Sequence, residues 1–224
     1  MSEPSVCCIT PTHMPEYWER VKACVESQTY PNKHWLPMDT RGMNLTVGAL
    51  RNLMIRSTGQ DFDLIAHFDH DDWSAPSRLS EQVEFMQATG AQVVGYYDMP
   101  LYDEQRDKVL LYDSHNPNYA LGTSLMYRRE VWERVPFPDQ TPEDTTWQNN
   151  VGPENVASYS SLKPGKPIYS NDVQLGRDEL HLGMVQTVHK ASAAARVCLH
   201  SSRVEPASVE LDRAVREILN GVHA

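Results

Sequence analysis

Three aspartates fall within four positions at Asp69-His70-Asp71-Asp72. Carboxylates set that close repel one another unless a proton or a cation lies among them. Hard oxygen donors of this kind suit Mg²⁺ or Mn²⁺. The other reading is a solvated acidic turn ahead of the helix that Pro76 opens, because aspartate is favoured near helix starts. An EF-hand is excluded, since its glycine and twelfth-position glutamate are missing. The nine histidines are scattered with no His-Glu-x-x-His pattern, and Cys7, Cys8, Cys24 and Cys198 form no Cys-x-x-Cys pair, which leaves no zinc signature. The cysteines read as reduced core residues, Cys7-Cys8 lying within an apolar run.

The elements around the cluster decide where its charge is delivered. Val6-Cys7-Cys8-Ile9 reads as a buried strand ending at Thr10-Pro11-Thr12, followed by a helix with Met14, Tyr17, Trp18, Val21, Cys24 and Val25 at helical spacing. A second strand is expected over His34 to Asp39, weakened by Pro37, which cannot donate to a sheet ladder. Val47, Leu50, Leu53 and Met54 form a helical stripe closed by Gly59. The apolar strand Leu64 to Phe68 then runs directly into the acidic cluster. Pro76 opens a helix carrying Leu79, Val83 and Met86, which stops at Gly90, and Gln92 to Tyr97 is the next strand. This alternation predicts an α/β fold, a mostly parallel central sheet with helices on both faces, and ligands at the carboxyl ends of its strands.

Downstream, Val109 to Tyr112 and Leu125 to Tyr127 read as strands, Arg129 to Val135 as a short helix, and Glu143-Asp144 as the lead into another helix. Ser158 to Pro167, with Pro164 and Gly165, reads as a mobile loop. Leu182 to Val188 is expected as a strand, and Pro206 starts a terminal helix with Leu211, Val215, Ile218, Leu219 and Val222 on one face. Residues 1–200 form one expected domain and 201–224 a helical extension.

The 224 residues carry 30 acidic against 20 basic side chains, a formal charge of −10, which argues against non-specific attraction to nucleic acid or an anionic membrane. No apolar run approaches the roughly 18 residues that span a bilayer. Met1-Ser2-Glu3-Pro4 lacks the basic and apolar parts of a signal peptide, so a cytoplasmic location is expected.

Several motifs in order carry a resemblance. Val6-Cys7-Cys8-Ile9-Thr10-Pro11-Thr12-His13, Glu26-Ser27-Gln28-Thr29-Tyr30-Pro31-Asn32, Leu50-Arg51-Asn52 and Phe68-Asp69-His70-Asp71-Asp72-Trp73-Ser74-Ala75-Pro76-Ser77-Arg78-Leu79 are followed by Ser124-Leu125-Met126-Tyr127-Arg128-Arg129-Glu130 and Pro142-Glu143-Asp144. Together they resemble a family 2 glycosyltransferase of the GT-A fold, whose central sheet is Rossmann-like. The resemblance implies transfer of a sugar from a nucleoside diphosphate, UDP in the first instance, to a hydroxyl with inversion at the anomeric carbon. A nucleotide-binding half would occupy about residues 1–100 and an acceptor half about 101–200. Thr12 and His13 would lie against base and ribose, Asp39 would face the nucleobase, and Arg51 matches a nucleotide-side arginine. Asp69 and Asp71 match the Asp-x-Asp pair, with Asp71 the direct ligand of Mn²⁺ or Mg²⁺. Asp144 matches the base. His189 resembles a late histidine that reaches the metal, with His181 its competitor, and a nitrogen ligand would favour Mn²⁺.

Elementary chemistry is consistent with these roles. A cation held by carboxylates neutralises charge growing on a departing diphosphate, and a separate carboxylate takes the acceptor's proton. Two departures stand out: Thr40 and Arg41 follow Asp39 where a second acid is usual, and His13 replaces an aromatic residue. Trp147 is left open between a sugar-stacking platform and packing, and Trp73 is read as packing. The alternatives are a nucleotide-sugar-binding module without catalysis, a glycosyltransferase acting on a modified nucleic-acid base, and a metal nuclease or phosphatase. The acceptor class stays open.

Overall fold

Neighbouring residues of β1 (Val6–Thr12) face opposite ways, as the pleat requires: Val6 and Cys8 enter one apolar cluster, Cys7 and Ile9 another. The first cluster takes Val21, Cys24 and Val25 from α1 (Trp18–Glu26) and Leu79, Val83 and Met86 from α3 (Arg78–Thr89). The second takes Met54 and Ile55 from α2 (Val47–Ser57), Val131 and Trp132 from α4 (Arg129–Arg134), and Trp147 from α5 (Glu143–Val151). Helices therefore cover both faces of one sheet. These features come from a computed structural model that describes residues 3–59, 62–164, 180–182, 184–188 and 203–222.

The central sheet holds six strands in the order β2-β1-β3-β8-β5-β9, with β2 at Lys33–Asp39, β3 at Leu64–His67, β5 at Val93–Tyr96, β8 at Met126–Arg128 and β9 at Val156–Tyr159. Five strands share one direction, and β8 runs antiparallel between β3 and β5. The expected mostly parallel sheet with helices on both faces is the observed one. Pro37 is accommodated because β2 is an edge strand, whose outer side needs no donor. Gly90 ends α3 in the left-handed conformation at φ 70°, its N–H donating to Met86 O.

A second, five-stranded sheet has the order β13-β7-β6-β12-β4, with β4 at Trp73–Ser74, β6 at Asp98–Asp103, β7 at Lys108–Asp113, β12 at Met184–Val188 and β13 at Val204–Pro206. The expected strand from Leu182 to Val188 is divided: Leu180–Leu182 is β11, paired antiparallel with β10 (Leu162–Pro164). Ser158 and Tyr159, expected at the start of a mobile loop, lie in β9 with register partners Gly95 and Tyr96. Leu162–Pro164 of that expected loop is the strand β10, and its last residues, 165–167, are outside the described residues. Pro206 closes β13, and the terminal helix α6 begins three residues beyond it (Val209–Val222), packing Leu211, Val215 and Leu219 on the second sheet. Among the described residues no helix is long and apolar enough to cross a membrane.

Candidate active site

β1 and β3 are adjacent and parallel, so Thr12 and the loop after His67 emerge at the same edge of the sheet. Thr12 is buried, its hydroxyl accepting from the Met14 N–H at 3.1 Å and its carbonyl accepting from Thr40 N–H at 2.8 Å. That second bond ties down the end of β2. Asp39 is the last residue of β2, and its carboxylate is gripped by the exposed Arg41 guanidinium at 2.6 Å. Hydrogen bonds from Arg41 hold the Asp39 carboxyl below its usual range. His13 is exposed and meets His70 edge-on at 5.4 Å, and the Tyr17 ring is 5.6 Å from His70 in a tilted contact. The sequence reading passed over His70 because it sits between two aspartates.

The acidic cluster is buried more than a solvated turn would be. Asp71 is 9% exposed and Asp72 3%. Burial raises the Asp69 and Asp72 carboxyls, and repulsion among the three adds to it, driving Asp72 well above the carboxylate range. Asp72 Oδ1 accepts from the Thr187 N–H of β12 at 3.0 Å, pinning the loop to the second sheet, while its Oδ2 is buried without a hydrogen-bond partner. Mutual repulsion together with an orphaned acid oxygen fits a group of opposite charge at this loop. Among the described residues no three His, Cys, Asp or Glu side chains form a complete metal-binding group. His189 lies outside the described residues, and His181 is in β11 with Lys163 as its register partner.

Arg51 links this loop to the second acidic motif. It lies in α2 with its side chain 4% exposed, 2.6 Å from Glu143 Oε1 and 3.6 Å from Asp69 Oδ1. Burial alone would lower its pKa, but Asp69, Glu143 and Asp144 together raise it. Glu143 is raised chiefly by burial, with Arg51 opposing. Gly48 allows this approach, because a side chain there would collide with Pro138 O and come within 3.2 Å of Glu143 Cβ. Residues 92 positions apart thus share one ion pair.

Asp144 is the second residue of α5, which follows a cis Thr141–Pro142 peptide. The cap position is Pro142, so Asp144 is not the N-cap of a helix starting near Thr145. Its Oδ1 accepts from the Thr145 N–H at 2.7 Å, and its other edge lies against Gly122. Gly122 belongs to the turn 122–124 between β7 and β8, and its carbonyl is 2.7 Å from His67 Nδ1. Arg78 Nη2, in a fully buried side chain, donates to His67 O at 2.8 Å and to Thr123 O at 3.3 Å. The 122–124 turn is therefore fastened to the end of β3 from two directions. Sequence reading missed Gly122, Arg78 and Glu143's ion pair, since each depends on contacts between distant segments. Trp147 is no sugar platform: it is 0% exposed, stacks on Phe137 at 4.5 Å and donates from Nε1 to Val135 O. Trp73, expected to pack over the start of the helix after Pro76, packs against the second-sheet cluster.

No family model and no curated protein matches the sequence. Solved structures do. The S. aureus TarS 1–349 structure in complex with UDP-GlcNAc aligns with a TM-score of 0.57 and 12% identity over 85% of this chain and 60% of that one. The mannosyltransferase PcManGT from Pyrobaculum calidifontis, in complex with GDP-Man and Mn²⁺, aligns with a TM-score of 0.50 and 17% identity over 74% of this chain and 59% of that one. The chain spans about three fifths of the length of either structure. These alignments establish the fold, a GT-A-like α/β architecture with a mostly parallel central sheet flanked by helices.

Proposed function

We propose that this chain is a metal-dependent, inverting glycosyltransferase of the family 2 type. The observation that carries the reading is the Asp69–Arg51–Glu143 bridge, which ties the acidic loop after β3 to the first residue of α5, the neighbour of Asp144 in the chain. Donor and acceptor chemistry need two separate acid groups close together, and this arrangement supplies them. Residues of about 1–100 take the nucleotide, with Thr12, His13, Asp39 and Asp69 toward the donor and Arg51 acting through Asp69. Residues of about 101–200 serve the acceptor. The nucleotide sugars bound by TarS and PcManGT support UDP- and GDP-linked sugars as the donors to test.

Asp71 holds the cation, assisted by Asp69. When bound, Mn²⁺ or Mg²⁺ supplies Lewis-acid neutralisation of the departing diphosphate. Asp144 accepts the proton of the acceptor hydroxyl as its oxygen bonds to the anomeric carbon and the bond to the diphosphate breaks on the opposite face. The sugar leaves with inverted configuration. The Thr145 N–H bond to Oδ1 keeps the Asp144 carboxylate in one orientation.

The test is a thermal-shift panel of UDP-N-acetylglucosamine, GDP-mannose and their parent nucleotides, with and without Mn²⁺. Stabilisation by a nucleotide sugar only when Mn²⁺ is present is expected. Absence of any shift across the panel would remove the proposal. For a donor that binds, NMR of the product's anomeric proton decides inversion against retention.

A further inference from the structure

Gly122 needs to be glycine for a reason that its backbone does not supply. The described glycines in the left-handed region are Gly42, Gly59, Gly90 and Gly152, and Gly122 is not among them. An alanine would be free of backbone strain there. What excludes a side chain is Asp144: a Cβ on Gly122 would overlap the Asp144 carboxylate, lying 3.0 Å from both its Cγ and its Cβ. No other atom constrains that position as closely.

Gly122 is itself held in place. His67, the last residue of β3, is buried between Gly122 O at 2.7 Å and the Tyr127 hydroxyl at 3.2 Å. A carbonyl can only accept, so His67 Nδ1–H donates to Gly122 O, and Nε2 accepts from Tyr127. Arg78 fixes the same turn through Thr123 O, and Gln82 Nε2 donates to Ser124 O at 2.7 Å. On the far side, Gln148 of α5 brackets Ala120, donating to its carbonyl and accepting from its N–H, both at 2.8 Å. The turn is thus bonded both to the strand that delivers the acidic loop and to the helix that carries Asp144.

We infer that Gly122 and His67 are positioning residues for Asp144: His67 sets the height of the 122–124 turn, and the bare Cα of Gly122 leaves the space that the carboxylate occupies. This rests on the reading of Asp144 as the base. The inference concerns kcat rather than donor affinity, because neither residue belongs to the donor set. An off-target carboxylate of even about 1 Å is enough to cost a proton transfer heavily.

The experiment uses the whole chain, Mn²⁺, and UDP-N-acetylglucosamine or GDP-mannose, with water as the acceptor, and follows release of the nucleotide. Gly122→Ala should lower kcat at least tenfold while KM stays within twofold and the melting temperature stays near wild type. In an Asp144→Asn background the same change should cost less than twofold, since the group it displaces no longer works. His67→Leu should also lower kcat, and His67→Asn, whose Nδ2 takes the place of Nδ1, should restore most of it. If one variant fails to fold, the other series still decides. An active wild type whose kcat is unmoved by Gly122→Ala, or moved equally in both backgrounds, overturns this inference alone. A wild type that binds and hydrolyses neither donor overturns the functional reading and this inference with it.

Discussion

Arg51 shows how one side chain can join two acidic motifs that are far apart in the chain. Its guanidinium is buried between Glu143 and Asp69, and removing it would leave two largely, not fully, buried carboxylates without their counter-ion. Arg51→Leu should therefore destabilise the protein by about 3–5 kcal/mol, read by urea unfolding. A loss under about 1 kcal/mol would place Arg51 among ordinary surface pairs. Asp71 has a different burden. In the proposed function it holds the cation that separates it from a diphosphate of like charge, so Asp71→Asn should weaken Mn²⁺-dependent donor binding about tenfold, or 1.4 kcal/mol by calorimetry, with little change in melting temperature. EDTA added to the wild type should reproduce that loss, and donor affinity indifferent to both treatments would end the assignment.

Within elements, burial sets chemistry as well as packing. Burial pushes the Cys7 thiol up to about 12, and pushes the Cys8 and Cys24 thiols upward as well. A thiol reacts as its thiolate, so native-state alkylation at pH 7 followed by peptide mapping should leave Cys7, Cys8 and Cys24 unmodified, and all three should label in denaturant. Rapid native labelling of Cys7 or Cys8 would contradict the burial of β1 between β2 and β3. In α5 the inward face is anchored by Trp147, which packs on Tyr127 and Phe137. Trp147→Ala should cost about 3–5 kcal/mol of stability, the range for emptying a large aromatic site. A sugar platform would instead lose acceptor affinity at unchanged stability.

Over the whole molecule the two sheets are joined at the site. Asp72, in the loop leaving the central sheet, accepts from Thr187 in the second sheet, and Arg20 of α1 donates to the Thr187 hydroxyl at 3.2 Å. Helix α6 closes the outer side of the second sheet through Leu211, Val215 and Leu219. Val215 is 0% exposed, so Val215→Asp would bury an unpaired carboxylate. A penalty of about 3 kcal/mol should lower the melting midpoint by roughly 6–12 °C for a chain of this size. The transition should stay single in calorimetry, because Met99 of β6 and Met184 of β12 are buried in the apolar cluster of the central sheet, so the two sheets share one core. Two resolved transitions would show that the second sheet is an independent unit.

The alternation of β1, α1, β2, α2, β3, α3 and β5 was readable from the sequence, since apolar period, proline at helix starts and glycine at helix ends are local signals. The arrival of acid at a strand's end was equally local, needing only Leu64 to Phe68 followed by Asp69. What could not be read locally was pairing. Nothing in Met126–Arg128 marks it as antiparallel between two parallel strands, and Asp98–Asp103 is hidden as a strand by Pro100 and its terminal acids. The site divides in the same way. Residue types named the candidates Asp71 and Asp144, but only the fold put Arg51 between Asp69 and Glu143, buried Trp147, and pressed Gly122 against Asp144. Backbone periodicity is fixed within a few residues, whereas a buried ion pair or a glycine's clearance exists only after segments distant in the chain have packed together.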